Sequence, residues 1–251
     1  MNINRRLGPV GIRRNLRGRG ARPFAWPAST IVVYDARRGN TITLATPPDV
    51  TAVANLVNAG FLDVSELTAS KMPHKLTGPD AFEFNLAAVR GLKNTTQTIF
   101  AANTYPTTFA IFKFVSNGAA NRFQCAAVSG APFSRLFLTY RAGASLIDVS
   151  VNTVTAGVLL ASVSFAADGN YHLVRSTLTP TGAEISLDAG TPVVAPGANG
   201  GMAGSATQSA IGTDTSDFGP ADGNGQLWAW MLGATPAQIS YVEQHLLAQV
   251  P

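Results

Sequence analysis

From residue 81 to residue 232 the chain runs strand after strand, and that pattern constrains its fold more than any other feature. Phe82-Glu-Phe-Asn-Leu86 alternates apolar and polar side chains, as a strand with one buried face does. Thr107–Val115 places Phe109, Ile111 and Lys113 on one face and Thr108, Ala110, Phe112 and Phe114 on the other. Further strands are expected over 122–128, 135–140, 145–151, 158–165, 171–178, 183–187, 209–212 and 226–232. Turn signals such as Asn117-Gly118, Asp168-Gly-Asn170, Thr181-Gly182 and Asp222-Gly-Asn-Gly225 separate them. Their spacing, about 8–12 residues, is that of an antiparallel β-sandwich. The Gly-, Ala- and Pro-rich stretch 190–207 reads as an irregular loop, and so does Lys71–Asp80.

Two helices are expected beside these strands. Thr46-Pro-Pro-Asp49 looks like a helix start, with Val50, Val53, Leu56 and Val57 on one apolar face and Gly60 as its stop. Thr235-Pro-Ala-Gln238 has the form of a capping box. Ile239, Val242 and Leu246 then make a stripe that must lie on the sandwich.

The first 28 residues are of another kind. They hold Arg5, Arg6, Arg13, Arg14, Arg17, Arg19 and Arg22 and no acid, a charge of +7, while the net charge of the whole chain is only +4. Gly8, Gly11, Gly18 and Gly20, with Pro9, Pro23 and Pro27, favour extended backbone. The expected organisation is therefore an extended Arg-rich arm over 1–28 and a sandwich over 29–251. Phe24-Ala-Trp26-Pro27 has no core of its own in sequence, so Trp26 reads as an anchor into a partner. The arginines suit acidic grooves on neighbouring subunits; nucleic-acid phosphates are the alternative.

No apolar run is long enough for a membrane helix, and the basic N-terminus leads into Gly and Pro rather than a signal-type apolar segment. Cys125 is the only cysteine, so an internal disulfide is excluded, and its alternating surroundings suggest a buried thiol.

A resemblance adds to this reading. The succession Asp168-Gly-Asn-Tyr-His-Leu-Val174, Ala183-Glu-Ile-Ser-Leu-Asp-Ala-Gly190 and Ala210-Ile-Gly212 is similar to the concanavalin A-like lectin/glucanase superfamily, in its laminin-G-like branch. Gly225-Gln-Leu-Trp-Ala-Trp-Met-Leu232 and Ala234–Val242 resemble the last strand and closing helix of that family. Val33-Tyr-Asp-Ala36 and Ala81-Phe-Glu-Phe84 resemble the opening of such domains in phage and bacterial proteins. The resemblance spans about residues 30–249 and implies an all-β jelly-roll sandwich. Tyr171 stands where the family usually has Trp, and the 228–230 strand lacks the family's Glu.

The family's glucanases carry Glu-x-Asp-x-Glu on one strand, which aims three carboxylates at one face. The only glutamates here are Glu66, Glu83, Glu184 and Glu243, and no such triplet exists. No catalytic residue is assigned, and His172 reads as structural. Asp214, Asp217 and Asp222 are candidate Ca²⁺ ligands, as in some relatives, or simple turn formers. Trp228 and Trp230 share a strand face; they are expected in the core, with a sugar-stacking platform as the alternative. The resemblance and the arm together imply a non-enzymatic virion component of a bacteriophage. Such a capsid decoration or tail subunit would assemble with other virion proteins as a symmetric homo-oligomer. A carbohydrate-binding module for host attachment is the alternative.

Overall fold

The structure, a computed structural model, describes residues 24–78, 80–85, 87–115, 120–127, 136–213 and 221–251. Two antiparallel sheets face one another. The eight-stranded sheet contains β1 (Thr30–Asp35), β5 (His74–Leu76), β6 (Ala81–Phe84), β8 (Pro106–Phe114), β13 (His172–Thr179), β14 (Gly182–Leu187), β15 (Val193–Pro196) and β17 (Gly223–Leu232). Its order is β15-β14-β13-β8-β17-β6-β5, with β1 paired beside β6 on the same side of β17. The nine-stranded sheet contains β2 (Ile42–Leu44), β3 (Val50–Val53), β4 (Val64–Ser65), β7 (Leu92–Asn94), β9 (Ala120–Ala127), β10 (Leu136–Arg141), β11 (Leu146–Thr153), β12 (Gly157–Ser164) and β16 (Gln208–Ile211). They run in the order β12-β11-β10-β9-β16-β7-β4-β3-β2.

The alternation expected along 107–115 is what β8 shows. Ala110, Phe112 and Phe114 face the core between the sheets, with Trp228, Trp230, Phe82, Phe84, Phe123 and Tyr140. Phe109 and Ile111 point out of the sandwich into a second cluster with Val33, Leu227, Ala229 and Met231. The helix α1 (Pro236–Leu247) covers that outer cluster with Ile239, Val242 and Leu246, and its Thr235–Gln238 capping box forms as expected. An ion pair anchors the helix to the sheet: Arg175 Nε lies 3.0 Å from Glu243 Oε1, which also accepts from Ser186 Oγ.

Three expectations about local structure are corrected. No helix forms over 46–60. A cis Pro47–Pro48 bond turns the chain, and Val50–Val53 pairs as β3 with β2 and β4. The apolar positions that looked like one helical face serve two cores. Val50 and Val53 enter the main core, and Leu56 and Val57 lie against the outer cluster. Asn55 holds the chain between them, accepting from Val33 N at 3.0 Å and donating to Ile31 O and Phe61 O. The described residues thus contain one α-helix, where two were expected, together with three short 3-10 turns. The stretches 71–80 and 190–207, expected as loops, each carry a short strand, β5 and β15, whose hydrogen bonds come from a neighbouring strand rather than from their own pattern.

Candidate functional site

Trp228 and Trp230 take their expected place in the core. Trp228 and Trp230 are both fully buried between the sheets, so neither offers a ring face to a sugar. The Trp228 indole N–H donates to Phe123 O at 3.0 Å, tying one sheet to the other. These two residues therefore form no sugar-stacking platform: strand β17 is covered on both faces, by the facing sheet and by α1.

The seven arm arginines, Arg5, Arg6, Arg13, Arg14, Arg17, Arg19 and Arg22, lie outside the described residues, as do Asp214 and Asp217. Asp222 is half-buried just before β17, and its backbone carbonyl accepts from Val115 N at 3.2 Å. Among the described residues no group of three or more His, Cys, Asp or Glu side chains is placed to hold a metal.

Trp26, expected to anchor in a partner, packs on its own chain instead. Phe24 and Trp26 meet edge to face at 5.0 Å and lie against the outer cluster. Phe24 also stacks on His245 and on Tyr241 of α1, and Ala25 N donates to Tyr241 Oη at 3.4 Å. The sandwich has a second core on its outer face, and these aromatics extend it.

At this place the described surface opens into a pocket of about 540 Å³. Phe24, Trp26 and Leu56 form its apolar lining, and Arg38, Asn40, His245 and Gln249 its polar lining. Four segments converge to build it. Residues 24–26 enter across the helix. The turn after β1 brings Arg38 and Asn40, and is fixed from below by buried Asp35, which binds Arg37 Nε at 2.7 Å and Arg37 Nη2 at 2.9 Å. Leu56 is placed by the bond from its N–H to Val33 O. His245 and Gln249, four residues apart at the end of α1, hydrogen-bond to each other. Burial and the nearby Arg37 charge hold the His245 pKa below its usual value, so the ring is neutral at pH 7. The polar lining therefore comprises one permanent cation, two amides and a neutral imidazole, with no carboxylate among the lining residues. Only Trp26 and its aromatic neighbour Phe24 were signalled in sequence. The other lining residues lie on separate elements, and no local pattern marks them.

Two histidines elsewhere each bridge a pair of carboxylates. His172 Nδ1 lies 2.7 Å from Asp188 Oδ2, and its Nε2 lies 3.0 Å from Asp168 Oδ1. Partial burial works against the imidazolium, but the two carboxylates outweigh it and raise the His172 pKa. Asp168 is driven well below the usual carboxylate range, first by its bond to His172 and then by Asn170. His74 likewise stands between Asp49 Oδ1 at 3.0 Å and Glu83 Oε2 at 3.3 Å, with Arg90 on the same Glu83 oxygen. These are clamps between strands and loops, consistent with the structural reading of His172. Cys125 is buried, in a small cluster with Ala127, Phe137 and Ala210.

Comparison with known structures agrees with this architecture. Over 88% of this chain, the sandwich is similar to Trypanosoma rangeli sialidase in complex with the inhibitor DANA, at 10% identity and a TM-score of 0.59. The same sialidase in complex with sialic acid gives 11% identity over 88% of the chain and a TM-score of 0.54. Domains LG4-5 of the mouse laminin alpha1 chain overlap 54% of this chain and 36% of theirs, at 14% identity and a TM-score of 0.42. The sialidase likeness is one of fold alone, and that fold is a two-layer antiparallel β-sandwich. The chain corresponds to 34% of the sialidase, about a third of its length. No protein-family model matches the sequence, and no curated protein matches it.

Proposed function

We propose that this chain is a non-catalytic recognition module that seats a saccharide in the Phe24–Trp26 pocket. The observation that carries this reading is the chemistry of the lining. Aromatic side chains pack well on the C–H side of a pyranose, and Phe24 and Trp26 are in the lining, while Asn40, Gln249 and Arg38 carry the donors and acceptors that hydroxyl groups need. A pocket of about 540 Å³ falls within the size range of small-ligand sites. The T. rangeli sialidase was solved in complex with sialic acid and with the inhibitor DANA, a property of that longer protein, and supports the reading here only through the shared fold.

The test is a glycan array probed with the full chain, in Ca²⁺ and in EGTA, followed by calorimetric titration of the best ligand. Trp26→Ala and Asn40→Ala are each expected to weaken binding at least tenfold with the circular dichroism unchanged. Absence of binding to any saccharide, or binding indifferent to Trp26→Ala, would overturn the reading.

A second reading is favoured by the seven arginines of the acid-free arm. In it the chain is a structural subunit of a phage virion, held to neighbouring subunits by the arm, with or without a glycan-binding role. Co-sedimentation with assembled particles, and an arm cleaved by trypsin in free protein but protected in particles, are its expected results. A chain that never sediments with particles rejects it.

A further inference from the structure

Sheet edges expose unpaired N–H and C=O groups, and soluble proteins blunt them with short strands, prolines, charges or covering segments. Among the described residues, all but one of the edges in this sandwich are treated in this way. β2 and β5 are three residues each. β15 is four residues long, preceded by Pro192 and ended by Pro196. The free side of β1 is occupied by Asn55 and Leu56, which bond the backbone of Ile31 and Val33.

β12 is the exception. It is eight residues long, pairs along its whole length with β11, and ends the nine-stranded sheet. Among the described residues no strand pairs with its far side. It contains neither proline nor charge, and no charged residue occurs anywhere between Asp148 and Asp168. Its outward side chains include Val158, 64% exposed, and Leu160, 46% exposed. Val154 is exposed at the same end, and Val193 and Val194 are exposed on β15, the edge of the facing sheet. That facing segment is also uncharged, with no Asp, Glu, Lys or Arg between Asp188 and Asp214. Leu159 points inward, and a β-carbon on Gly197, just after β15, would lie 2.8 Å from it, so both edges share one side of the sandwich.

We propose that β12 is a self-association edge, on which a second copy of this chain lays its own β12 antiparallel. The open edge requires a strand as its partner, because only a strand meets a row of alternating donors and acceptors. Neutrality selects the copy: a charged partner finds no opposite charge to pair with, whereas two uncharged edges meet without repulsion. Antiparallel pairing of a strand with itself also closes on a two-fold axis, so association stops at a dimer. With the axis at Leu160, the two Leu160 side chains lie side by side and each Val158 faces Ser162 of the other copy. The two nine-stranded sheets then run on as one.

Sedimentation equilibrium of the full chain at tens of micromolar tests this directly. The expected mass is twice the 26.2 kDa of the monomer. Leu160→Lys places two ammonium groups against each other at the axis and is expected to raise the dissociation constant at least a hundredfold. Its exposed position leaves the circular dichroism unchanged. Leu160→Cys provides the second readout. Directly opposed positions in antiparallel strands approach to about 4.5 Å between β-carbons where they are closest, the upper end of the range of about 3.5–4.5 Å that a disulfide spans, and native Cys125 is buried. Mild oxidation is therefore expected to yield a covalent dimer from this variant and none from wild type. Three outcomes overturn the proposal: a wild-type monomer at every concentration, a dimer that persists in Leu160→Lys, and an oligomer whose Leu160→Cys copies do not cross-link.

Discussion

Trp228 and Trp230 sit two residues apart on β17, both fully buried, yet they should respond differently to the same substitution. The Trp228 N–H donates to Phe123 O across the sandwich at 3.0 Å, and its ring packs against Phe82, Phe84 and Phe112. The Trp230 ring meets Tyr34 edge to face at 5.5 Å, and its Nε1 has no hydrogen-bond partner among the described residues. Replacing each by phenylalanine removes similar volume, worth about 1–2 kcal/mol of lost packing. For Trp228→Phe the hydrogen bond is lost as well. Phe123 O keeps its bond from Gly212 N at 3.1 Å, so the carbonyl is not orphaned, and the added cost is the net value of one bond, about 1 kcal/mol. For Trp230→Phe the opposite holds, because an unpaired buried N–H is deleted and its desolvation cost, at least about 1 kcal/mol, is recovered.

The expected difference between the two variants is therefore about 2 kcal/mol, with Trp228→Phe the less stable. Urea denaturation followed by far-ultraviolet circular dichroism measures it without relying on tryptophan fluorescence, which both substitutions alter. In thermal scans the same difference corresponds to about 4–8 °C. Equal losses in the two variants, or a larger loss in Trp230→Phe, would refute the assignment of an inter-sheet bond to Trp228.

Two further outcomes follow from particular contacts. Because Asp168 and Asp188 raise the His172 pKa, the charged clamp adds stability that is fully present below about pH 6.5 and is lost as the pH rises through the raised value. Thermal stability of wild type is therefore expected to fall between about pH 6 and pH 9 by more than that of His172→Gln; parallel profiles for the two proteins would show that the clamp adds nothing. Gly212 has φ +75° and a β-carbon there would lie 2.0 Å from the Phe84 ring, so Gly212→Ala combines backbone strain with overpacking and is expected to cost about 2–4 kcal/mol in urea denaturation; a loss under about 1 kcal/mol would show that Phe84 yields freely.

How much of this was legible in the sequence depends on where each element obtains its hydrogen bonds and its cover. β14 declares itself through alternation, because Ala183, Ile185 and Leu187 repeat on one face while Glu184 and Ser186 lie on the other, and β8 declares itself through an apolar run bounded by turn residues. The capping box of α1 is equally local, since all its partners lie within four residues. β2, β4, β5, β7 and β15 are two to four residues long, and such strands exist only because a neighbour supplies the ladder. The segment 50–57 misled for a related reason: apolar spacing reports that residues are buried, not that they are buried in the same place.

The second core offers a signal that the sequence did carry. A strand with one face in water alternates, whereas Leu227-Trp-Ala-Trp-Met231 and Phe109-Ala-Ile-Phe112 are continuously apolar. Such runs state that both faces of the eight-stranded sheet are covered. The stripe of α1 is only three buried residues, Ile239, Val242 and Leu246, too little to cover the outward side chains of β1, β8, β13 and β17. Something else had to lie there, and the unassigned aromatics of the chain, Phe24 and Trp26, were the available material. The pocket arises from the same shortage. Where a helix of twelve residues and a single crossing segment meet over a broad sheet face, their junction leaves a gap, and Arg38, Asn40, His245 and Gln249 line the one found here. The continuous apolar strands thus foretell a cover, its incompleteness foretells a cavity, and only the chemistry of that cavity had to await the fold.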